Sequence, residues 1–348
     1  MISWVPKKVV NSHRINELLS LSHAKNQYTN GGPVVCLLET TVRTLLKIDD
    51  TKSVVCVSNG TVALWAAVAA IEMYEKRELQ VCTQSFTFPA SAQGYLENAI
   101  IIDIDNGGGI DLEKIDLSGC DGIIVTNVFG NVVDIAKYEE WCTTHKKFLL
   151  FDNAATAYTF YHGKNSCNYG NAATISFHHT KPIGFGEGGA IIIDSKYERV
   201  LRNVINFGID NTSPNGRWHR LGGNYKMSDI QAAYILQYLD RFDELITKGN
   251  DLYSYFLEKT NTIQAITRFP NYSDTNPHVS CLSVLVPNSI AIMNKLLANS
   301  IYCRKYYDPL ENTPVAMDLY NKILCISFTV DMTRADIDRI VSILCNYI

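Results

Sequence analysis

The chain has 348 residues, 47% of them hydrophobic and 19% charged, with a formal net charge of −4 at neutral pH. That apolar content can fill one large core or two unequal ones and excludes a disordered chain. The slightly acidic balance excludes a surface-wide field for nucleic acid or anionic membrane, so any phosphate must be held locally.

Near the N-terminus, MISWVPKKVVNSHR has no long apolar run after its positive charges, and no stretch of about 18 uncharged apolar residues follows anywhere; neither secretion nor a membrane span is expected. The pattern then predicts a strand at VVCVS (54–58), a helix over TVALWAAVAAIEMYEKR, and strand-like runs at LQVCTQ, AIIIDID, DGIIVTNV and KFLLFD. Strands alternating with helices indicate an α/β domain around a mostly parallel sheet, and ligands of such sheets gather at the C-terminal ends of the strands. Residues 227–245 read as one long helix capped by Ser228 or Asp229. From 246 onward come an amphipathic helix, the turn-rich RFPNYSDTNP, a strand at VSCLSVLVP, a helix at AIMNKLLANS, ILCISF and a closing helix from TRADID. The expected organisation is a large α/β domain over 1–245 and a smaller α+β domain over 246–348. Ten cysteines stand singly, without CxxC pairs or histidines at metal spacing; buried reduced thiols in a cytoplasmic setting are expected, with no metal.

Five segments at or near strand ends carry candidate chemistry. SNGTVALWAAV sets Ser58, Asn59, Gly60 and Thr61 between a strand and a helix, where free N–H groups and the positive helix end suit a phosphate, although plain capping gives the same pattern. QSFTFPASAQGY places Phe86 and Phe88 in a loop, where one ring can stack on a flat cofactor or both can pack in the core. KFLLFDNAATAY ends a hydrophobic strand in Asp152; an acid there needs a partner, either a protonated pyridine nitrogen or the amides of a helix begun at NAATAY. SFHHTKPIGFGEGG (176–189) puts Lys181 in a glycine-rich turn, and lysine forms Schiff bases best when burial and cationic neighbours lower its pKa. Ser176 can add a hydroxyl, while His178 and His179 read as satisfied structural side chains. WHRLGGNYKMSDIQAA sets a Gly-Gly turn, Asn224 and Lys226 before the long helix, able to reach a phosphate in this subunit or a partner's.

In this order the segments resemble the DegT/DnrJ/EryC1/StrS family of sugar aminotransferases, pyridoxal 5′-phosphate enzymes of the aspartate aminotransferase fold (fold type I), from NGGPVVCLLE (30–39) to TVDMTRADID (329–338). SFHHTKPIGFGEGG is the most specific match. The resemblance implies that Lys181 occupies the Schiff-base position, Asp152 binds the pyridine nitrogen and Phe88 stacks on the ring. It also implies that Gly60, Thr61 and Ser176 hold the phosphate, with Asn224 completing the site across a homodimer. Glutamate as amino donor, pyridoxamine 5′-phosphate as the second cofactor form and a nucleotide-linked keto-sugar as acceptor follow from the same likeness. Phe129, Trp218, His219, Arg220 and Tyr306 are expected to border the sugar nucleotide; for Arg304, Lys305, Tyr306 and Tyr307 a solvated basic turn is an equal reading.

The DNAAT variant is similar to the enzymes that make 4-amino-4,6-dideoxyglucose (viosamine), which points to the C4 ketone of a UDP- or dTDP-linked 4-keto-6-deoxyglucose. A C3-aminotransferase, a GDP-perosamine-type 4-aminotransferase, an eliminating or dehydrating enzyme that keeps the cofactor, and a cofactor-binding sensor are the alternatives. Two departures from the family pattern stand out: Ala155 replaces a Gln or His that hydrogen-bonds near the ring hydroxyl, and Lys226 replaces an Arg, keeping charge without the planar fork.

Overall fold

The computed structural model describes residues 1–210, 217–269, 275–276 and 278–347. The helices are α1 (Ser12–Lys25), α2 (Pro33–Leu46), α3 (Gly60–Glu75), α4 (Ile135–His145), α5 (Glu198–Val204), α6 (Asp229–Leu239), α7 (Phe242–Thr260), α8 (Ser289–Ala298), α9 (Pro314–Lys322) and α10 (Arg334–Tyr347). The strands of the first half are β1 (Lys52–Val57), β2 (Val81–Gln84), β3 (Ile100–Ile102), β4 (Gly122–Thr126), β5 (Phe148–Asp152), β6 (Phe160–Tyr161), β7 (Lys164–Asn165), β8 (Ala172–Ser176) and β9 (Gly189–Asp194).

Seven of these strands form one sheet in the order β1-β9-β8-β5-β4-β2-β3. Only β9 runs against its neighbours, so β1, β2, β3, β4, β5 and β8 all point the same way and end at one rim. The mostly parallel sheet read from the sequence is therefore present. Side-chain alternation divides its two faces. Cys56, Ile123, Val125, Leu149, Phe151 and Ile175 enter one core with residues of α1, α2, α4 and α6, whereas Val55, Val57, Ile124, Leu150, Ile191 and Ile193 enter a second core with α3 and α5. α3 is buried nearly all round, which explains its run of alanines and its weak amphipathic pattern.

The remaining strands are β10 (Thr267–Arg268), β11 (Thr275–Asn276), β12 (Leu282–Leu285), β13 (Cys303–Arg304) and β14 (Ile323–Ile326). β11 joins β6 and β7, and the others form an antiparallel sheet, β10-β12-β14-β13. One face of that sheet packs under α7, α8 and α10 through Leu282, Val284, Leu324 and Ile326. The other face turns Cys281, Ile323 and Cys325 towards Phe86, Ile104, Val128 and Phe129 from loops of the large sheet. The smaller sheet thus covers the rim where the parallel strands end.

Three sequence expectations are corrected. Residues 227–245 are not one helix: the chain breaks at Asp240 and Arg241, because α6 packs along the large sheet while α7 turns to bury Leu252 and Phe256 in the small one. α7 consequently runs through the boundary expected at 245/246. No helix begins at NAATAY; residues 153–159 form turns. Eight cysteines are buried, but Cys36 and Cys345 are exposed. No helix among the described residues is long and apolar enough to cross a membrane.

Candidate active site

Register assembles the site. β9 sets Gly189 beside Val57 on one side and Ser176 on the other, and β5 sets Asp152 beside Thr174 and Thr126. The loop from Phe177 to Gly188 that joins β8 to β9 therefore leaves and re-enters the sheet at the same rim, carrying Lys181 above it. Two glycines permit this closeness: a Cβ on Gly188 would lie 2.7 Å from Ile235, and one on Gly189 would lie 2.6 Å from the Asn59 carbonyl.

α3 opens directly against that rim. Asn59 caps it by accepting from the Val62 amide at 3.0 Å, while the amides of Gly60 and Thr61 donate to nothing among the described residues. Ser176 is buried and its Oγ accepts from the His178 amide at 3.1 Å, leaving its own proton to give. A Cβ on Gly60 would stand 3.0 Å from the Ser176 Cβ, so the helix start and this hydroxyl share one small cradle. Two free amides, the Ser176 hydroxyl and a positive helix end are the donor set of a phosphate site.

Asp152 is 5% exposed. Its Oδ1 accepts from the Ala154 amide at 3.0 Å and from the Thr174 hydroxyl at 3.5 Å, and its Oδ2 accepts from nothing among the described residues. Burial raises its pKa, opposed by the Ala154 amide, Lys181 and Thr174. Lys181 shows the complementary effect: burial lowers it, opposed by Asp152 and Cys281. A strand-end acid with one free oxygen and a lysine short of hydration face each other across the space above the sheet. Ala154, Ala155, Tyr158, Ser176, Lys181 and His278 line a small cavity there.

Aromatic rings wall the site. Phe88 is 53% exposed, with its ring edge-on to Tyr307 at 6.3 Å, so it keeps a free face, whereas Phe86 is fully buried. Tyr307 stacks on Phe129 at 5.6 Å and on Tyr306 at 5.3 Å.

The other expected substrate residues are not all brought to this place. Phe129 is 2% exposed and covered by Tyr307, so it supports the wall and does not border the open space. Tyr306 stands behind Tyr307, edge-on to Trp4 at 5.7 Å. Trp218, His219 and Arg220 lie on an exposed loop, and Arg220 pairs with Glu78 beyond the C-terminal end of α3. A 16-residue helix spans roughly 24 Å, so within one chain Arg220 is held at the rim opposite Gly60. Asn224 is exposed in a bridge with Asn206, next to Lys226, which pairs with Val57 at the end of β1. Lys226 gives its ammonium to Asn206 at 2.7 Å and lies over the Phe207 ring. His178 is satisfied by Thr180 and Glu187, as expected.

Sequence reasoning missed Thr174, Cys281, His278 and Lys8. The Thr174 hydroxyl faces Asp152 because the two are register partners on neighbouring strands; a search for hydroxyls two residues before a strand-end serine would have found it. His278 and Cys281 arrive from the small domain, and Lys8 from the N-terminal arm, with no local signal.

The chain matches the DegT/DnrJ/EryC1/StrS aminotransferase family over residues 11–345 and belongs to it. It is therefore a pyridoxal-phosphate-dependent enzyme of the sugar aminotransferases. It is 25% identical to a dTDP-4-amino-4,6-dideoxy-D-glucose transaminase of Shigella dysenteriae, covering 93% of each chain. It is 27% identical to a GDP-perosamine synthase of Escherichia coli O157:H7, over 76% of this chain and 75% of the relative. Among solved structures, the sugar aminotransferase CalS13 from Micromonospora echinospora superposes with a TM-score of 0.85 at 21% identity, each chain covered in full, which establishes the shared fold. The residues present fit the cofactor: an acid with a free oxygen, an under-hydrated lysine, an exposed ring face and an open helix N-terminus stand around one space.

Proposed function

We propose that this enzyme moves an amino group from glutamate to the C4 ketone of a 4-keto-6-deoxyglucose carried on dTDP or UDP, yielding the 4-amino-4,6-dideoxy sugar. The observation that carries the reading is the convergence of Lys181, Asp152 and the α3 N-terminus at one rim. The acceptor is supported by the relative named for 4-amino-4,6-dideoxyglucose; the relatives named for GDP-perosamine support a GDP-linked acceptor as the second reading.

When bound, pyridoxal phosphate supplies an aldehyde that condenses with amines and a ring that takes up the electrons of a broken C–H bond. Asp152 would hold the ring nitrogen protonated through its free Oδ2, with Oδ1 fixed by Ala154 and Thr174. Phe88 would cover one ring face. Gly60, Thr61 and Ser176 would hold the phosphate, and an exposed Asn224 would reach the same group in a second copy of the chain. The Lys181 amine, its basicity lowered by burial, would carry the cofactor and move the proton between donor carbon and cofactor.

The test is the visible spectrum of the purified protein with pyridoxal phosphate, before and after excess glutamate. A lysine-bound absorbance band that glutamate removes, and that a 4-keto-6-deoxy sugar nucleotide restores, is expected. A protein with no such band, or with a band indifferent to glutamate, would overturn the reading. Comparing dTDP-, UDP- and GDP-linked acceptors by kcat/KM separates the two nucleotide readings.

A further inference from the structure

The first eleven residues form an arm that crosses three parts of the molecule. Ile2 bridges to Ile301, the Ser3 carbonyl accepts from Ser327, Trp4 packs edge-on to Tyr306, and the Lys7 amide donates to Asp331, all in the small domain. The Asn11 amide then donates to Gln237 of α6 at 3.0 Å. Between these anchorages Lys8 turns inwards. Its ammonium donates to the carbonyl of Gly184 at 2.6 Å and to that of Lys181 at 3.1 Å, and it lies 4.0 Å from the centre of the Tyr238 ring.

We propose that Lys8 is a positioning residue for Lys181, through which the N-terminal arm ties the lysine-bearing loop to the small domain. The proposal rests on the reading that Lys181 carries the cofactor. The loop needs such a tie. Its own main-chain bonds are few: Phe177 to Gly188 at its base, His179 to Gly186, Lys181 to His178, and Gly184 to Lys181. Gly186, on its returning limb opposite His179, has a φ of +66°, and a Cβ there would meet nothing within 4 Å. Two charge-assisted bonds to the carbonyls on either side of Pro182 and Ile183 fix the stretch from which the Lys181 side chain departs. A lysine committed to this place is partly starved of water, and its pKa falls to about 7, with burial as the main cause and Asp331 opposing it. The groups facing it are Asp331, the Tyr238 ring, and His179, which Lys8 in turn helps to keep uncharged; Arg241 and Glu244 lie beyond Tyr238. Lys8 is thus charged below neutrality and loses charge assistance to both carbonyls as pH rises through about 7.

The test uses the full chain with Lys8→Met, which keeps the stem over Tyr238, and Lys8→Arg, which stays charged at every pH. Amide hydrogen exchange at Lys181 and Gly184 is read without cofactor at pH 6 and 8, corrected for intrinsic rates, and pyridoxal phosphate affinity is read by absorbance. Lys8→Met should raise exchange and weaken cofactor binding by at least about tenfold each at pH 6, because both charge-assisted bonds to the loop are lost. Wild type should loosen between pH 6 and 8, and Lys8→Arg should show no such step. Unchanged exchange in Lys8→Met, or a step that persists in Lys8→Arg, would overturn the proposal. Changed exchange with unchanged cofactor affinity would instead overturn the assignment of Lys181 as the cofactor's lysine, since exchange is read on the chain alone.

Discussion

Gly189, the first residue of β9, lies against Asn59, the residue that caps α3, so closely that a Cβ on the glycine would fall 2.6 Å from the Asn59 carbonyl carbon and oxygen and 2.8 Å from the Gly60 nitrogen. The obstructing atoms are backbone, which cannot swing aside as a side chain can. Gly189→Ala must therefore push the start of α3 away from Ser176, and the phosphate cradle opens with it. The variant is expected to lose about 3 kcal/mol of stability, as an overpacked core does, and to bind pyridoxal phosphate more weakly. Chemical denaturation and cofactor titration check the two parts, and a wild-type cofactor affinity would show that the cradle does not depend on this contact.

His278 lines the cavity beside Lys181 with a side chain buried over Gly249, where a Cβ would stand 2.7 Å from the ring. Burial lowers its pKa from 6.5 to about 4. The folded state then binds fewer protons than the unfolded chain between those values. Stability from this group is complete above pH 6.5 and drains away as pH falls towards 4, by about 3 kcal/mol in all. Melting temperatures taken from pH 7 to pH 4 should fall more steeply in wild type than in His278→Gln, and parallel curves would remove His278 from the account.

Asp103, 4% exposed at the end of β3, fastens α9 to the large sheet. Its carboxylate accepts from the Thr313 hydroxyl at 2.7 Å, from the amides of Val315 and Ala316 at 3.1 and 3.0 Å, and from Lys114 at 3.1 Å. Burial alone would raise its pKa, but the Thr313 hydroxyl and the amides of Val315, Ile104 and Ala316 bring it down to about 2. Because the folded value lies below the ordinary 3.8, the stabilisation is present above pH 3.8 and lost as pH falls to 2. Asp103→Asn should destabilise the protein at pH 7 by about 2 kcal/mol, read from urea denaturation, and the loss should vanish near pH 2.

How legible each residue was follows from how local its determinants are. Gly60, Asp152, Ser176 and Lys181 stand at strand ends within a parallel sheet, and a strand end is marked by a change from apolar run to glycine and hydroxyl that any reader of the sequence can see. Lys8 touches a loop 173 residues away, and nothing in MISWVPKK marks that lysine over Lys7. Phe129 and Tyr306 were expected to border the sugar nucleotide, whereas Tyr307 occupies the face between them, a choice made by packing. The break at Asp240 and Arg241 was hidden because both helices continue one apolar rhythm across it; only the need to serve two cores separates them.

Asp152 separates stability from function most sharply. Burial raises its pKa above the ordinary carboxylate value, so the cofactor-free folded state holds that proton more tightly than the unfolded chain does. Stability contributed by this group therefore falls as pH rises through 3.8 towards the folded value, and at neutrality the ionised, half-satisfied carboxylate is a cost. Asp152→Asn removes the charge while keeping an oxygen that can accept from Ala154 and Thr174. The cofactor-free variant should melt at or above the wild-type temperature at pH 7. With cofactor bound, the same change deprives the ring nitrogen of its anionic partner, and the first half-reaction with glutamate should slow by at least about a hundredfold, or roughly 3 kcal/mol of barrier. Differential scanning calorimetry and stopped-flow absorbance give the two numbers. A variant that melts well below wild type would mean that Asp152 serves the fold, and one that reacts at the wild-type rate would mean that it does not face the ring.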